Sequence, residues 1–323
     1  MKKRDFIVIL IDSCYREPLM MFKLLKEKGF SLYKKSNRQS YIFMADGRIS
    51  HGGMFDRLKG LLTIYAIAKA VGKDFKINWT YPFALSKYLE PVRYNWVINE
   101  SQMNFGLLSS NNVIAYGEIT NPSRLMKERK QETHFYYGFN SLDKVNTHFN
   151  TNYKWGELYR ELFKPTSYLQ YYLEQYQAEI GNTYVAIHTR FMNLLGDKTE
   201  TNINPELKSE EQKEILIRSA IDSVKRVSLR HQDMRILIAS DSMVFINCIK
   251  KGMPNVYIVP GTIKHIDTAG ETDDIENIKM FTDYYLISSA KKVYSLWHEG
   301  MWKSAFPEYA AKIGDVPFER IEF

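Results

Sequence analysis

Two hydrophobic rhythms alternate along the chain. Short, nearly unbroken apolar runs predict strands buried on both faces, and apolar residues spaced by three and four predict helices. In the first half, FIVILID (6–12) reads as a strand and PLMMFKLLKEKG (18–29) as a helix with a glycine stop. SYIFMAD (40–46) is a second strand. It opens into GRISHGGMFDR, a loop with three glycines, and then into LKGLLTIYAIAKAVG (58–72), a strongly apolar helix. FKINW (75–79) is a short strand, and NNVIAYG and THFYYG continue in short alternating pieces. KWGELYRELF (154–163) is helical. Pro165 then breaks the chain before the helix of TSYLQYYLEQYQAEIG. The tyrosines at 168–176 lie at helical spacing and predict core or interdomain packing, with an acceptor platform as the alternative.

The second half is more regular. Strands are expected at YVAIH (184–188), MRILIAS (234–240), NVYIVP (255–260) and KKVYSL (291–296). Helices are expected at 209–229, in SMVFINCIKKG, at 273–290 and at the end of GMWKSAFPEYAAKIG. Strand and helix alternating in this way predict an α/β fold with parallel sheets covered on both faces. The chain has 323 residues, which suits two domains, and the junction is placed near Pro165.

Composition narrows the function only a little. Charge is 44 − 37 = +7, compatible with nucleic acid, an acidic membrane surface or a phosphate-bearing substrate. Lys and Arg are spread along the chain, which disfavours nucleic acid. The two cysteines, Cys14 and Cys248, form no C-x-x-C pair and suit a reducing compartment. The basic start and the run FIVILI imitate a signal peptide, but Asp12 stops the run early, so a cytoplasmic protein is expected, with peripheral contact at the inner membrane face a further option.

Candidate chemistry gathers where the parallel strands end, because open α/β sheets bind ligands beyond the carboxyl ends of their strands. After YVAI come His188, Thr189 and Arg190. After MRILIA come Ser240, Asp241 and Ser242. After KKVY come Ser295 and Leu296, and Gly300 leads toward a helix. Arginine offers a fixed, planar charge for phosphate, and a Ser- and Gly-rimmed helix start offers bare N–H groups. Structural readings stand beside these: Arg190 as a surface ion pair, Asp241 as a helix N-cap, His188 as a buried structural residue. In the first half, HGGMFDRLKG (51–60) places His51, Gly53, Asp56 and Arg57 at a strand-to-helix turn where glycine permits close backbone approach. Neither G-x-G-x-x-G nor a P-loop occurs, and neither H-E-x-x-H nor an Asp-x-Asp metal motif.

The strand followed by His-x-Arg, IHTRFMN, resembles the fucosyltransferases that take GDP-fucose: the α1,2-, α1,6- and protein O-fucosyltransferases and the nodulation-factor enzyme. Phe191 stands where the α1,6 branch has a second Arg, and Asn193 where Asp is usual. The loop and helix HGGMFDRLKGLLTIYAIAKA look similar to that family's early Gly-rich segment, and YSLWHEGMWKSA matches its late Ser-rich segment at Ser295. The resemblance implies a GT-B fold: two facing Rossmann-like domains, an acceptor-side domain over 1–165 and a nucleotide-sugar domain over 166–323. It implies an inverting fucosyltransferase with a GDP-sugar donor, a glycan or glycolipid acceptor, and no metal or other cofactor. Arg190 would then neutralise the leaving diphosphate. His188, Asp241, Ser242, Ser295, Gly300 and Gly53 would hold the donor. The catalytic base stays open among His51, Asp56 and Asp197. Other nucleotide-sugar donors, or a non-catalytic nucleotide-sugar or glycan-binding protein, are the alternatives.

Overall fold

The computed structural model describes residues 12–28, 39–119, 121–126, 130–197, 209–261 and 274–323. The chain divides into two compact units, Met1–Lys164 and Pro165–Phe323. Most of the strand expected at 6–12 lies outside the described residues. Its last residue, Asp12, opens a wide helical turn, Asp12–Arg16, that leads directly into α1, Glu17–Lys28.

The first unit is built on a four-stranded parallel sheet. Its strands are β1 (Ser40–Ala45), β2 (Asp74–Trp79), β3 (Ser110–Ala115) and β4 (Glu132–Tyr137), in the order β2-β1-β4-β3. All six residues of β1 are buried, as its unbroken apolar run requires. Between β1 and β2 runs α2, Met54–Ala70. This helix starts four residues earlier than the apolar spacing predicts, because Asp56, Arg57 and Lys59 hide its first turn from a hydrophobicity reading. Buried residues surround α2 almost completely, the pattern of a core helix. Gly60 explains how it fits. A Cβ at this position would collide with the Tyr137 carbonyl oxygen at the end of β4. Two shorter helices, α3 (Leu142–Phe149) and α4 (Trp155–Leu162), complete the unit.

The second unit opens with α5, Ser167–Ile180. None of the four tyrosines on it is a core residue: Tyr168 and Tyr171 are exposed, and Tyr172 and Tyr176 are half-buried. Leu169, Leu173 and Ile180 face inward, while Tyr171 is 65% exposed, because it lies opposite the apolar stripe of the helix. Five parallel strands follow: β5 (Tyr184–Thr189), β6 (Arg235–Ser240), β7 (Val256–Tyr257), β8 (Val293–Trp297) and β9 (Phe318–Glu322), in the order β9-β8-β5-β6-β7. The helices are α6 (Glu210–Arg230), α7 (Met243–Gly252), α8 (Asp274–Ser288) and α9 (Phe306–Gly314). A capping box, Ser209 with Gln212, starts α6. β7 is shorter than expected: Ile258 and Val259 are buried but leave the ladder. β9 extends the sheet beyond the last strand the apolar pattern marks.

Both sheets reverse direction next to their first strand. From β5 the chain steps outward to β6 and β7, then returns to the other side of β5 with β8 and β9. From β1 it steps to β2, then fills the opposite side with β4 and β3. Each reversal is a topological switch point, where the loops leaving two adjacent strands diverge and open a crevice.

Candidate functional site

In the second unit the crevice lies beyond the ends of β5 and β8. Parallel register sets His188 beside Ser295 and Thr189 beside Ser240. His188 is buried and stacks on Phe306, with ring centroids 5.4 Å apart. Thr189 Oγ1 donates to Ser240 Oγ at 2.8 Å. Arg190 is the first residue past β5 and is half-buried. The chain then turns sharply. Phe191 is fully buried against Phe245, and Met192 takes φ 55°, a left-handed conformation that costs a non-glycine residue on the order of 1 kcal/mol or more. Asp241 stabilises this turn. Its Oδ1 accepts the Phe191 N–H at 2.8 Å and its Oδ2 accepts the Met192 N–H at 2.9 Å. The acid at the tip of β6 thus fixes the backbone that follows the arginine at the tip of β5.

Ser242, not Asp241, is the N-cap of α7: its hydroxyl accepts the Phe245 N–H at 3.1 Å. The same hydroxyl donates to Asp197 Oδ2 at 2.8 Å, and the Val244 N–H meets that oxygen at 2.9 Å. A carboxylate of the chain itself therefore occupies the N-terminus of α7. Ser295 is buried within β8. Gly300 does not stand at a helix start. It has φ 87° in a turn closed by the Met301 N–H on the His298 carbonyl at 2.9 Å, and α9 begins only at Phe306. Ser304 sits there instead, accepting the Phe306 N–H at 3.3 Å. A serine two residues ahead of Phe-Pro was the signal for it in the sequence.

In the first unit the crevice between the ends of β1 and β4 is a pocket of about 250 Å³. His51, Gly52, Asp56 and Arg57 line one side, and Tyr136, Tyr137, Gly138 and Phe139 another. Gly52 takes φ 67° and needs to be glycine, whereas Gly53 has φ −69° and open space where a Cβ would point. The Asp56 side chain is 52% exposed and pairs with Lys59 at 3.0 Å. Arg57 is buried; its Nε donates to the Gly52 carbonyl at 3.0 Å, its Nη1 donates to the Tyr81 carbonyl, and its guanidinium lies 5.4 Å from the Trp79 ring. It latches the glycine loop to the segment after β2.

Sequence reading overlooked Asp46 and Arg48. Asp46, at the tip of β1, accepts from the Arg48 amide at 3.1 Å, from Arg48 Nη1 at 2.5 Å and from the Tyr136 hydroxyl at 3.0 Å. Burial alone would raise its pKa. The hydrogen bonds from the Arg48 amide and guanidinium and the guanidinium charge outweigh it and hold the carboxyl at about 2. Arg48 reaches on to Glu27 at 3.0 Å and Glu100 at 2.5 Å. His51 stacks on Tyr136, and its Nε2 accepts the Gly47 N–H at 3.0 Å. In the neutral ring the proton then sits on Nδ1, so the histidine lone pair is used by the loop and Asp56 carries the accessible basic oxygen.

This arrangement makes stability pH-dependent. Burial and, next, the Arg57 charge lower the His51 pKa below 6.5, so an unfolded chain takes up this proton first as pH falls. Stability is expected to drop as pH falls below 6.5 toward the folded pKa. The Asp46 contribution, complete above 3.8, is lost only as pH falls through about 2. Melting curves of wild type and His51→Asn between pH 7 and 5 check this: the variant should lose less across that interval. Parallel curves would assign no linkage to His51.

Among the described residues, no group of three or more His, Cys, Asp or Glu side chains converges as a metal site, and no helix is long and apolar enough to cross a membrane.

No family model matches the sequence, and no curated protein matches it. Solved structures do match in fold. A variant of Arabidopsis thaliana FUT1 in complex with GDP aligns over 93% of this chain and 74% of its own, with TM-score 0.57 and 12% identity. NodZ α-1,6-fucosyltransferase from Bradyrhizobium, soaked with GDP-fucose, aligns over 89% of this chain and 95% of its own, with TM-score 0.53 and 16% identity. POFUT1 in complex with GDP aligns over 89% and 99%, with TM-score 0.53 and 11% identity. The two parallel α/β units of this chain are thus those of the GT-B fold found in fucosyltransferases.

Proposed function

We propose that the protein is an inverting glycosyltransferase that takes a GDP-sugar, with fucose the transferred sugar and a glycan hydroxyl the acceptor. One observation carries this reading. Arg190 leaves the central strand of the second sheet at its switch point, and Asp241 fixes the turn behind it, within a fold shared with enzymes solved with GDP or GDP-fucose. The acceptor oxygen forms a bond to the anomeric carbon from the face opposite the leaving group. The bond from that carbon to the diphosphate oxygen breaks, its electron pair stays on GDP, and the hydroxyl proton goes to a base. Arg190 opposes the charge that builds on the diphosphate. A fixed cation can do this without a divalent ion, so turnover is proposed to be metal-independent.

The donor is assigned to the second unit, with Gly300, Ser304, His188 and Ser295 around Arg190. Asp241 and Ser242 are assigned positioning roles through the loops they hold. The acceptor is assigned to the first-unit pocket, past Gly53, with Asp56 as base because its carboxylate is accessible there. Two cysteines without a disulfide suit a cytoplasmic setting.

The experiment is a melting panel with GDP, UDP, ADP and CMP, followed by assay of GDP release from GDP-fucose with and without EDTA. A ligand at a hundred times its Kd stabilises by ~2.7 kcal/mol, so GDP alone should raise the melting temperature. Asp56→Asn is expected to keep that shift and lose turnover. A shift from UDP or ADP instead of GDP would overturn the donor, and activity only with added Mg²⁺ or Mn²⁺ would overturn the metal-free route.

A further inference from the structure

The outward face of α1 in the first unit combines exposed apolar side chains with cations. Tyr15, Leu19 and Phe22 follow one another at helical spacing through the turn Asp12–Arg16 and α1, and they are 65%, 41% and 67% exposed. The opposite face of α1 is anchored: Met20 and Leu24 are buried in a cluster with Ile42, Met44, Ile114 and Tyr136. Glu17 accepts the Ile114 N–H at 3.3 Å, and Asn112 Nδ2 reaches Met21 Sδ at 4.0 Å. The helix therefore runs antiparallel to β3, and its last turn points toward the start of that strand. Leu107 and Leu108 precede β3 there, and Leu108 is 61% exposed. Leu108 thus stands toward the end of β3 that the last turn of α1 approaches.

The acids beside the exposed Tyr, Leu and Phe are engaged, and two of the lysines are not. Glu17 is turned to the β3 backbone, and Glu27 pairs with Arg48 at 3.0 Å, a guanidinium it shares with Asp46 and Glu100. Lys28 pairs with Glu100. Lys23 and Lys26 are exposed and have no ion pair among the described residues. An exposed strip of Tyr, Leu and Phe edged by lysines matches an interfacial helix, whose apolar side enters the headgroup boundary while its cations meet anionic lipids. A second copy of the chain fits less well, because a two-fold contact would set the same lysines against each other.

The geometry points to α1 as a docking surface for an anionic lipid bilayer. This inference does not depend on the glycosyltransferase reading: the exposed side chains it uses, Tyr15, Leu19, Phe22, Lys23 and Lys26, do not line the candidate pocket, and its readout is lipid binding alone.

Sedimentation of the full chain with phosphatidylcholine vesicles, with and without phosphatidylserine, tests it. Wild type is expected to bind the phosphatidylserine vesicles and to be released by high salt. Lys23→Glu with Lys26→Glu should weaken binding by roughly thirtyfold or more. Leu19→Ser with Phe22→Ser should lose binding even at low salt. All four positions are exposed, so both variants should melt like wild type and keep any GDP shift. Absence of vesicle binding by wild type, or binding unaffected by both pairs, overturns the proposal. So does a stable dimer that the Leu19/Phe22 variant dissociates while vesicles are ignored.

Discussion

Arg190→Ala is expected to reduce kcat by roughly 10²–10³ while changing donor affinity much less. The asymmetry follows from when the charge appears. In the bound donor the diphosphate charge is already shared and partly hydrated. As the glycosidic bond breaks, a further negative charge develops on the departing oxygen, and only an interaction that strengthens at that moment accelerates the step. Arg190 is suited to this because its backbone cannot drift. β5 holds it on one side, and on the other the Phe191 and Met192 amides are fixed on Asp241 at 2.8 and 2.9 Å. Arg190→Lys should recover only part of the rate, since an ammonium lacks the planar fork. A surface ion pair would behave differently: it contributes ~0–1 kcal/mol, and its loss would leave rate and melting temperature nearly as they were. Turnover, GDP affinity and melting temperature of both variants separate the cases. A folded Arg190→Ala protein with turnover close to wild type would remove this residue from the chemistry.

How far the sequence spoke depended on how local each signal was. β1, β5, β6 and β8 were legible because a strand buried on both faces must be apolar throughout, and each run ends where its ligand-facing tip begins. β9 was not, because Glu319, Arg320 and Glu322 interrupt it. An edge strand needs only one covered face, and Glu319 is used on the surface to pair with Lys292 at 2.6 Å. Ser295, expected at a tip, lies in the middle of β8, and His188 is the next-to-last residue of β5, whereas Arg190 and Asp241 could be placed just past strand ends from pattern alone. That Asp241 clamps the arginine's turn could not, since the contact spans about fifty residues and depends on strand order. Asp46 and Arg48 were passed over for the same reason: Glu27, Glu100 and Tyr136, which complete their network, are brought in by the fold. Arg57 could be placed at the strand-to-helix turn, but not its role there. Its burial under Trp79, bonded to two carbonyls, leaves no trace in a hydrophobicity profile.

Three glycines of the loop and helix beside the first-unit pocket, Gly52, Gly53 and Gly60, should respond to alanine in a steep order, with Gly60 most sensitive and Gly53 least. At Gly60 the Cβ would fall on the Tyr137 carbonyl, a backbone atom inside the sheet that cannot swing aside. Relief requires α2 to move off β4, opening contacts along a helix whose residues are buried on nearly every side. Overpacking of this kind costs on the order of 3 kcal/mol. In a unit of this size that lowers the melting temperature by roughly 6–12 °C. At Gly52 the obstacle is φ 67° and the Asp56 side chain, 3.0 Å from the Cβ position; a flexible carboxylate can yield, so a loss of about 1 kcal/mol is expected. At Gly53 the backbone is ordinary and the space is empty, so stability should stay within about 0.5 kcal/mol of wild type. Activity gives the order a second meaning. Gly53→Ala places a methyl group over the open N-terminus of α2, so a fall in turnover at unchanged melting temperature would mark that space as one a substrate enters. Gly60→Ala should instead lose both together, because shifting α2 carries Asp56 and Arg57 with it. A Gly60→Ala protein as stable as wild type would refute the close approach of α2 to β4 and, with it, the placement of Asp56 in the pocket.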